Sequence, residues 1–273
     1  CLPLILYSII GLVSLEQMFL GGVLPSLVMM AFAIGWGFYA APRQSARSRF
    51  DAREAWSATW DAKWELLLPL IPLVLIFGGY ALPVQAAALT ALYAFFIETV
   101  VHPDLRRNGR LLPLLVECGM LVGGVLLILG TAMGFTNWLV TEHVPDDLAT
   151  ALSTHIEQPW IFLLLLNLFL IVVGCLMDIF PAIIVVAPLV VPLGNVFGID
   201  PVHLGVIFLA NLEVGYLMPP VGLNLFLSAY RFDKPLLEVA RATLPMTLAL
   251  FAAVILITYV PAISTWLPRV FGH

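Results

Sequence analysis

Three acids stand inside apolar runs of this 273-residue chain: Glu117, Asp178 and Glu213. An ionisable group at membrane depth is costly, and such groups mark ion or substrate paths when they are not paired locally. Glu117 lies a turn or two from a cluster of arginines and can snorkel toward it. Asp178 immediately precedes Ile179-Phe180-Pro181, and Glu213 stands between Asn211 and Gly215. For each acid, pairing with a nearby Asn or a backbone N–H is the structural alternative to ligand binding.

The densest chemical signal is the run Asn211-Leu212-Glu213-Val214-Gly215-Tyr216-Leu217-Met218-Pro219-Pro220-Val221-Gly222-Leu223-Asn224. Two prolines remove two backbone donors and disfavour helical geometry at the residue before them. Gly215 and Gly222 permit unusual dihedrals. The run therefore predicts a helix that stops and restarts. Carbonyls at the end of its first half would attract cations, and N–H groups at the start of the second would attract anions. Secondary transporters build substrate and coupling-ion sites from such discontinuous helices. The plainer reading is a proline kink.

Composition sets the frame that must position these residues. Hydrophobic residues make up 62% of the chain and charged ones 11%, with mean hydropathy +1.04. The apolar runs are long enough to cross a bilayer as helices of about 20 residues, so the fold class is all-α and polytopic. The formal charge of −5 offers no basic patch for nucleic acid. Cys1, Cys118 and Cys175 are odd in number and sit in apolar surroundings, where small buried side chains are expected. No metal-ligand spacing and no nucleophile–base pair argues for an enzyme, and His203 beside Pro201 reads as a lone residue near the membrane edge. A transport subunit, a membrane enzyme and a non-transporting fragment remain the competing classes at this point. The start at Cys1, within an apolar stretch, reads as a truncation.

Apolar stretches run over 2–13, 18–41, 66–101, 111–140, 159–197, 202–230 and 243–267. All but one of the 12 Lys and Arg fall in three loops: Arg43 to Lys63, Arg106 to Arg110, and Arg231 to Arg241. These loops are cytoplasmic by the positive-inside rule, whereas 141–158, which is acidic, lies outside. Stretch 66–101 then crosses twice or dips in and returns, and it is long enough for two spans joined by a tight turn at Gly78-Gly79-Tyr80-Ala81-Leu82-Pro83. Stretch 159–197 starts and ends outside, either as two short spans or as a re-entrant hairpin; Asp178, Pro181, Pro188 and Pro192 favour the hairpin, since irregular backbone needs shelter at membrane depth. Trp56, Trp60 and Trp64 recur every four residues, as on an interfacial helix or as simple aromatic anchors.

Met177-Asp178-Ile179-Phe180-Pro181-Ala182-Ile183, Gly198-Ile199-Asp200-Pro201-Val202-His203-Leu204-Gly205-Val206 and the run from Asn211 through Phe226 carry a family resemblance. Pro219-Pro220-Val221-Gly222-Leu223-Asn224-Leu225-Phe226 is its most specific part, and Gly78-Gly79, Pro83, Ala86-Ala87-Ala88 and Tyr259-Val260-Pro261 extend it over essentially the whole chain. The chain resembles the C-terminal part of the large membrane subunit of tripartite ATP-independent periplasmic (TRAP) transporters.

The resemblance implies an inverted-repeat, ion-transporter-like fold with an elevator mechanism. Residues 1–41 would close the first repeat, with Cys1 and Pro3 as the tail of its Ile-Pro-Pro-Ser break; 42–65 would be an interfacial arm and 66–140 scaffold spans. Then come the outside loop 141–158, the hairpin 159–197, the broken helix 202–230 and the last span 243–267. The implied ion and substrate ligands are Met177, Asp178, Ile179, Phe180 and Pro181 at the hairpin tip. On the unwound helix they are Asn211, Glu213, Gly215, Met218, Pro219, Pro220, Val221, Gly222 and Asn224. The implied activity is import of a small organic acid (a carboxylate) by sodium symport across the bacterial inner membrane, or transport of another organic or inorganic anion by a related fold. The implied partners are a small membrane subunit and a periplasmic substrate-binding protein; sodium is the coupling ion, with no cofactor and no other metal. The chain departs from the family where hydroxyls are usual at Ile179 and Phe180 and Thr at Met218, and where Leu82-Pro83-Val84-Gln85 replaces Thr-Pro-Thr-Glu.

Overall fold

The computed structural model describes residues 2–40, 51–101, 109, 111–156, 158–177, 179–220 and 222–271. Among them every regular element is helical. In chain order these are α1 (Leu2–Ile10), α2 (Leu15–Ala40), α3 (Ala52–Asp61), α4 (Lys63–Phe77) and α5 (Pro83–Phe96), which runs into a π-helical turn at Ile97–Val101. There follow α6 (Leu111–Thr141), α7 (Val144–His155), α8 (Pro159–Leu176), α9 (Ile179–Val196), α10 (Pro201–Gly215), α11 (Leu223–Phe232), α12 (Leu236–Tyr259) and α13 (Ala262–Phe271). Among the described residues, five helices are long and apolar enough to cross a membrane: Leu15–Ala40, Val84–Val101, Pro159–Leu176, Ile179–Val196 and Leu236–Tyr259. The chain divides into two compact units, Pro42–Val125 and a larger one of Cys1–Ala41 with Leu126–His273.

In the smaller unit, Asp51 starts α3 by accepting a hydrogen bond from Arg53 N at 2.8 Å. The helix stops at Ala62, which leaves Trp56 and Trp60 on α3 and puts Trp64 on α4. The tryptophan stripe thus spans two helices instead of one. Lys63 sits at the corner, with its ammonium 4.8 Å from the Trp60 ring centre and 5.5 Å from that of Trp64. Helices α4 and α5 pack together across the turn at Gly78–Leu82, where Gly79 takes φ +70°. Gln85 reaches back to accept from Leu82 N at 3.0 Å, and Pro83 occupies the first helical turn, where no donor is needed. Cys118 on α6 is exposed, contrary to the expectation of burial, whereas Cys175 on α8 is buried.

The larger unit is built around α10. Nearly every residue of this helix is buried, as expected of a helix apolar on all sides. It packs most closely on α8, and also against α1, α2, α9, α12 and α13. Tyr7, Leu170, Ile183, Leu204, Ile207, Phe208 and Leu212 are fully enclosed in this core.

Local chemistry fixes where α10 begins. Gly198, at φ +68°, ends α9, and Ile199 N bonds back to Gly194 O at 2.9 Å. Asp200 then caps α10, accepting from Val202 N at 2.9 Å and His203 N at 3.2 Å, and Pro201 takes the first helical position.

Two segments differ from the sequence reading. Residues 144–155, expected as an outside loop, form α7. The last apolar stretch, expected as one span, ends at Tyr259 and restarts as α13, which packs on α2. Pro261 explains the second: it lacks a donor and pushes Val260 out of helical geometry, to φ −120° and ψ 79°. Gly21 on α2 admits α13, since a Cβ there would stand 3.0 Å from Ser264 O.

Candidate functional site

Helix α8 stops at Met177, an extended residue at φ −126° and ψ 151°, and α9 restarts at Ile179. Helix α10 stops at Gly215 and α11 restarts at Leu223. The intervening chain first tightens, with Leu217 N bonded to Val214 O and Met218 N to Gly215 O, both at 3.0 Å. It then turns through Pro219-Pro220, whose peptide bond is cis. Gly222 sits against this turn: a Cβ there would lie 2.5 Å from Met218 O and 2.7 Å from Tyr216 O. Two backbone carbonyls therefore converge on a residue that cannot carry a side chain.

The two breaks are held side by side. A Cβ on Gly215 would lie 2.7 Å from Gly174 Cα, so α8 and α10 touch backbone to backbone just before each helix ends. Beside them lies a cavity of about 510 Å³ whose lining includes Pro3, Met29, Ile179, Glu213, Tyr216 and Asn224. Pro3, Ile179, Glu213 and Asn224 come from three segments singled out in the sequence, the last two residues from the two ends of the one broken-helix run.

Other expected ligands lie elsewhere. Met177 and Phe180 are partly buried and pack against the main apolar core. Pro181 is half-buried in the first turn of α9. Met218, Pro219 and Pro220 form the turn itself, Gly215 the contact with Gly174, and Gly222 the seat of the two carbonyls. Cys1, Asp178 and Val221 lie outside the described residues.

Asn211 faces away from the cavity. It is fully buried, and its Nδ2 donates to Asn167 Oδ1 at 2.6 Å and to Ile207 O at 2.8 Å. Thr258 Oγ1 donates to the same Asn167 oxygen at 3.1 Å, and Asn167 Nδ2 donates to Leu163 O at 2.7 Å. Buried amides in a low-dielectric core need such partners, so this node pins α8, α10 and α12 together. His203 extends the polar seam. It is buried, with Nε2 3.1 Å from Thr258 O and Nδ1 2.7 Å from Ser264 Oγ. A carbonyl only accepts, so Nε2 carries a proton. His203 is thus a core residue joining α10 to the α12–α13 corner, not a lone residue at the membrane edge. Sequence reasoning missed Asn167, Thr258 and Ser264; Asn167, a lone amide in the apolar run of α8, was the available signal.

Residues 1–263 match the family described as "Tripartite ATP-independent periplasmic transporter, DctM component". The C4-dicarboxylate TRAP transporter large permease protein DctM of Pseudomonas aeruginosa is 34% identical over 271 residues, 98% of this chain and 63% of that protein. Its namesake in Vibrio cholerae is 34% identical over 288 residues, 97% of this chain and 63% of that protein. The sialic acid TRAP transporter large permease protein SiaM of Vibrio cholerae is 31% identical over 278 residues, with 98% and 63% covered. The chain therefore spans about 63% of the length of these relatives. On a match of this extent, the chain belongs to the DctM family of tripartite ATP-independent periplasmic transporter components.

Proposed function

We propose that this chain forms the C-terminal part of the membrane transport subunit of a sodium-driven symporter that imports a small organic acid. The subunit works in the bacterial inner membrane with a small membrane subunit and a periplasmic substrate-binding protein, and it is a transporter and not an enzyme. One observation carries the reading: the cavity of about 510 Å³ where the hairpin residue Ile179 meets Glu213, Tyr216 and Asn224 of the broken helix. A helix interrupted beside a cavity presents carbonyl and N–H groups that a continuous helix would keep to itself.

Sodium prefers oxygen ligands. The chain has Ile179, Phe180 and Met218 where the family usually has hydroxyls, and backbone oxygen takes their place. The carbonyls of Tyr216 and Met218, converging at Gly222, supply it in this reading. Ion binding there favours the state that accepts substrate, and the elevator-like movement follows from that differential affinity. The relatives named for C4-dicarboxylates and sialic acid support an acid as substrate.

The test is uptake into proteoliposomes holding the full-length subunit, its small partner and the binding protein, with labelled organic acids. An inward sodium gradient should drive accumulation, and omitting the binding protein should abolish it. Equal uptake with and without the gradient would sink sodium coupling.

A further inference from the structure

Helix α3 is 10 residues long and buries none of them against the described residues. A helix this short is marginal in water, and its stability comes from a surface that takes one of its faces. Arg53, Trp56 and Trp60 recur at helical spacing and share one side, within about 60° of arc. The acids Glu54 and Asp61 lie about 100–160° round from the two tryptophans. Trp56 is 71% exposed and Trp60 61%. One side of α3 thus carries bare indole and a cation, and its carboxylates stand off that side.

Lys63 opens α4 at the end of α3, with its ammonium over the rings of both Trp60 and Trp64. Tyr93 Oη donates to Trp64 O at 3.1 Å, which ties this corner to α5. Beyond Lys63, the same side of α4 carries Leu67, Leu70 and Val74 at helical spacing. All three are exposed, and a row of bare hydrocarbon calls for an apolar surrounding. From Lys63 to Val74 the helix rises about 16 Å, close to half of a hydrocarbon core of about 30 Å. The corner therefore joins a cation and two indole rings to an apolar stripe as long as one leaflet is deep.

We propose that the corner between α3 and α4 is a binding site for an anionic phospholipid. Lys63 takes the phosphodiester, Trp60 and Trp64 flank the headgroup, and one acyl chain lies along Leu67, Leu70 and Val74. Charge complementarity selects the anionic class. An ammonium only donates, and a phosphate oxygen is the strong acceptor available at headgroup depth. A choline or ethanolamine headgroup brings a second cation to rings that Lys63 already occupies. A glycerol headgroup brings none, and Arg53, on the tryptophan side of α3, adds attraction to a leaflet rich in such lipids. The arginine-rich loop places the corner on the cytoplasmic side, where indole rings settle at headgroup level. The site does not depend on the transport reading above.

The experiment is native mass spectrometry of the full-length subunit released from detergent micelles. The probes are phosphatidylglycerol, phosphatidylcholine with the same acyl chains, and inorganic phosphate. Wild type should retain phosphatidylglycerol about fivefold more strongly than Lys63→Gln, the loss expected for one basic group at a lipid phosphate. Lys63→Arg, which keeps the charge, should restore most of that retention. Asp61→Asn, off the tryptophan side, should stay within about twofold of wild type. Equal retention by wild type and Lys63→Gln overturns the proposal, and so does phosphatidylcholine retained as well as phosphatidylglycerol. Inorganic phosphate that displaces the lipid would make the corner a free-anion site and overturns it too. Thermal melting shows whether each variant is folded. If Lys63→Gln does not fold, Trp60→Leu, at an exposed ring, decides the question: reduced retention supports the site, and unchanged retention overturns it.

Discussion

Gly174 and Gly215 touch backbone to backbone, and a Cβ on Gly215 would come within 2.7 Å of Gly174 Cα. The contact sits at the ends of α8 and α10 and holds the α8–α9 break beside the break that follows α10. Alanine at either position must push main chain, which cannot rotate away as a side chain can. Gly215→Ala is expected to cost about 1–3 kcal/mol, the usual range for overpacking. Thermal unfolding in detergent checks it, with Gly123→Ala, which meets nothing within 4 Å, as the control. Equal melting of the two variants would remove the contact from the account.

The pairing of Asn167 with Asn211 makes a second expectation. Asn211→Leu removes one of the two donors to Asn167 Oδ1, with Thr258 left as the other, and the lost hydrogen bond costs about 0.5–1.5 kcal/mol. Replacing both amides by Leu should cost less than the sum of the single changes, with a coupling of at least about 0.5 kcal/mol. A double-mutant cycle on unfolding midpoints measures this. Strict additivity would show that the two amides do not interact.

Gly222→Ala probes the carbonyl turn separately from stability of the core. The added methyl would meet Met218 O at 2.5 Å and Tyr216 O at 2.7 Å and must displace them. The sodium concentration for half-maximal uptake should rise about tenfold, equivalent to about 1.4 kcal/mol of binding. Unchanged sodium dependence would retire these carbonyls as ligands.

The charge asymmetry predicts topology. Single cysteines placed on α7 of a cysteine-free variant should react with an impermeant thiol reagent from outside, and those at 104–110 should not. The reverse pattern would invert the orientation read from Lys and Arg.

The features legible in the sequence are those written in backbone chemistry. Pro219-Pro220 between glycines announced that the helix would break, and Gly198-Ile199-Asp200-Pro201 carried a stop, a cap and a start in four residues. Side-chain partnerships across helices were not legible. Asn211 was grouped with cavity ligands because it brackets the break, but helical phase turns it about 200° away from Glu213. Its partner Asn167 lies 44 residues away in sequence, and no local spacing announces such a pair. The acidic segment 141–158 read as loop because its polarity hid the short helix α7. Pro261 carried the signal for the α12–α13 corner, yet the continuous apolar composition around it masked the stop.

The cap at Asp200 and the break after Gly215 make α10 a ruler. Its 15 residues fix a rise of about 22 Å, within a hydrocarbon core of about 30 Å. Side chains along it can be exchanged, but the count cannot. One residue inserted between His203 and Asn211 would rotate everything beyond it by about 100°. Glu213 would swing off the cavity wall, and Asn211 would lose Asn167, while the cap stayed intact. Insertions should thus be tolerated at the turns flanking α10 and rejected within it, a pattern of length conservation independent of which residues occupy the helix.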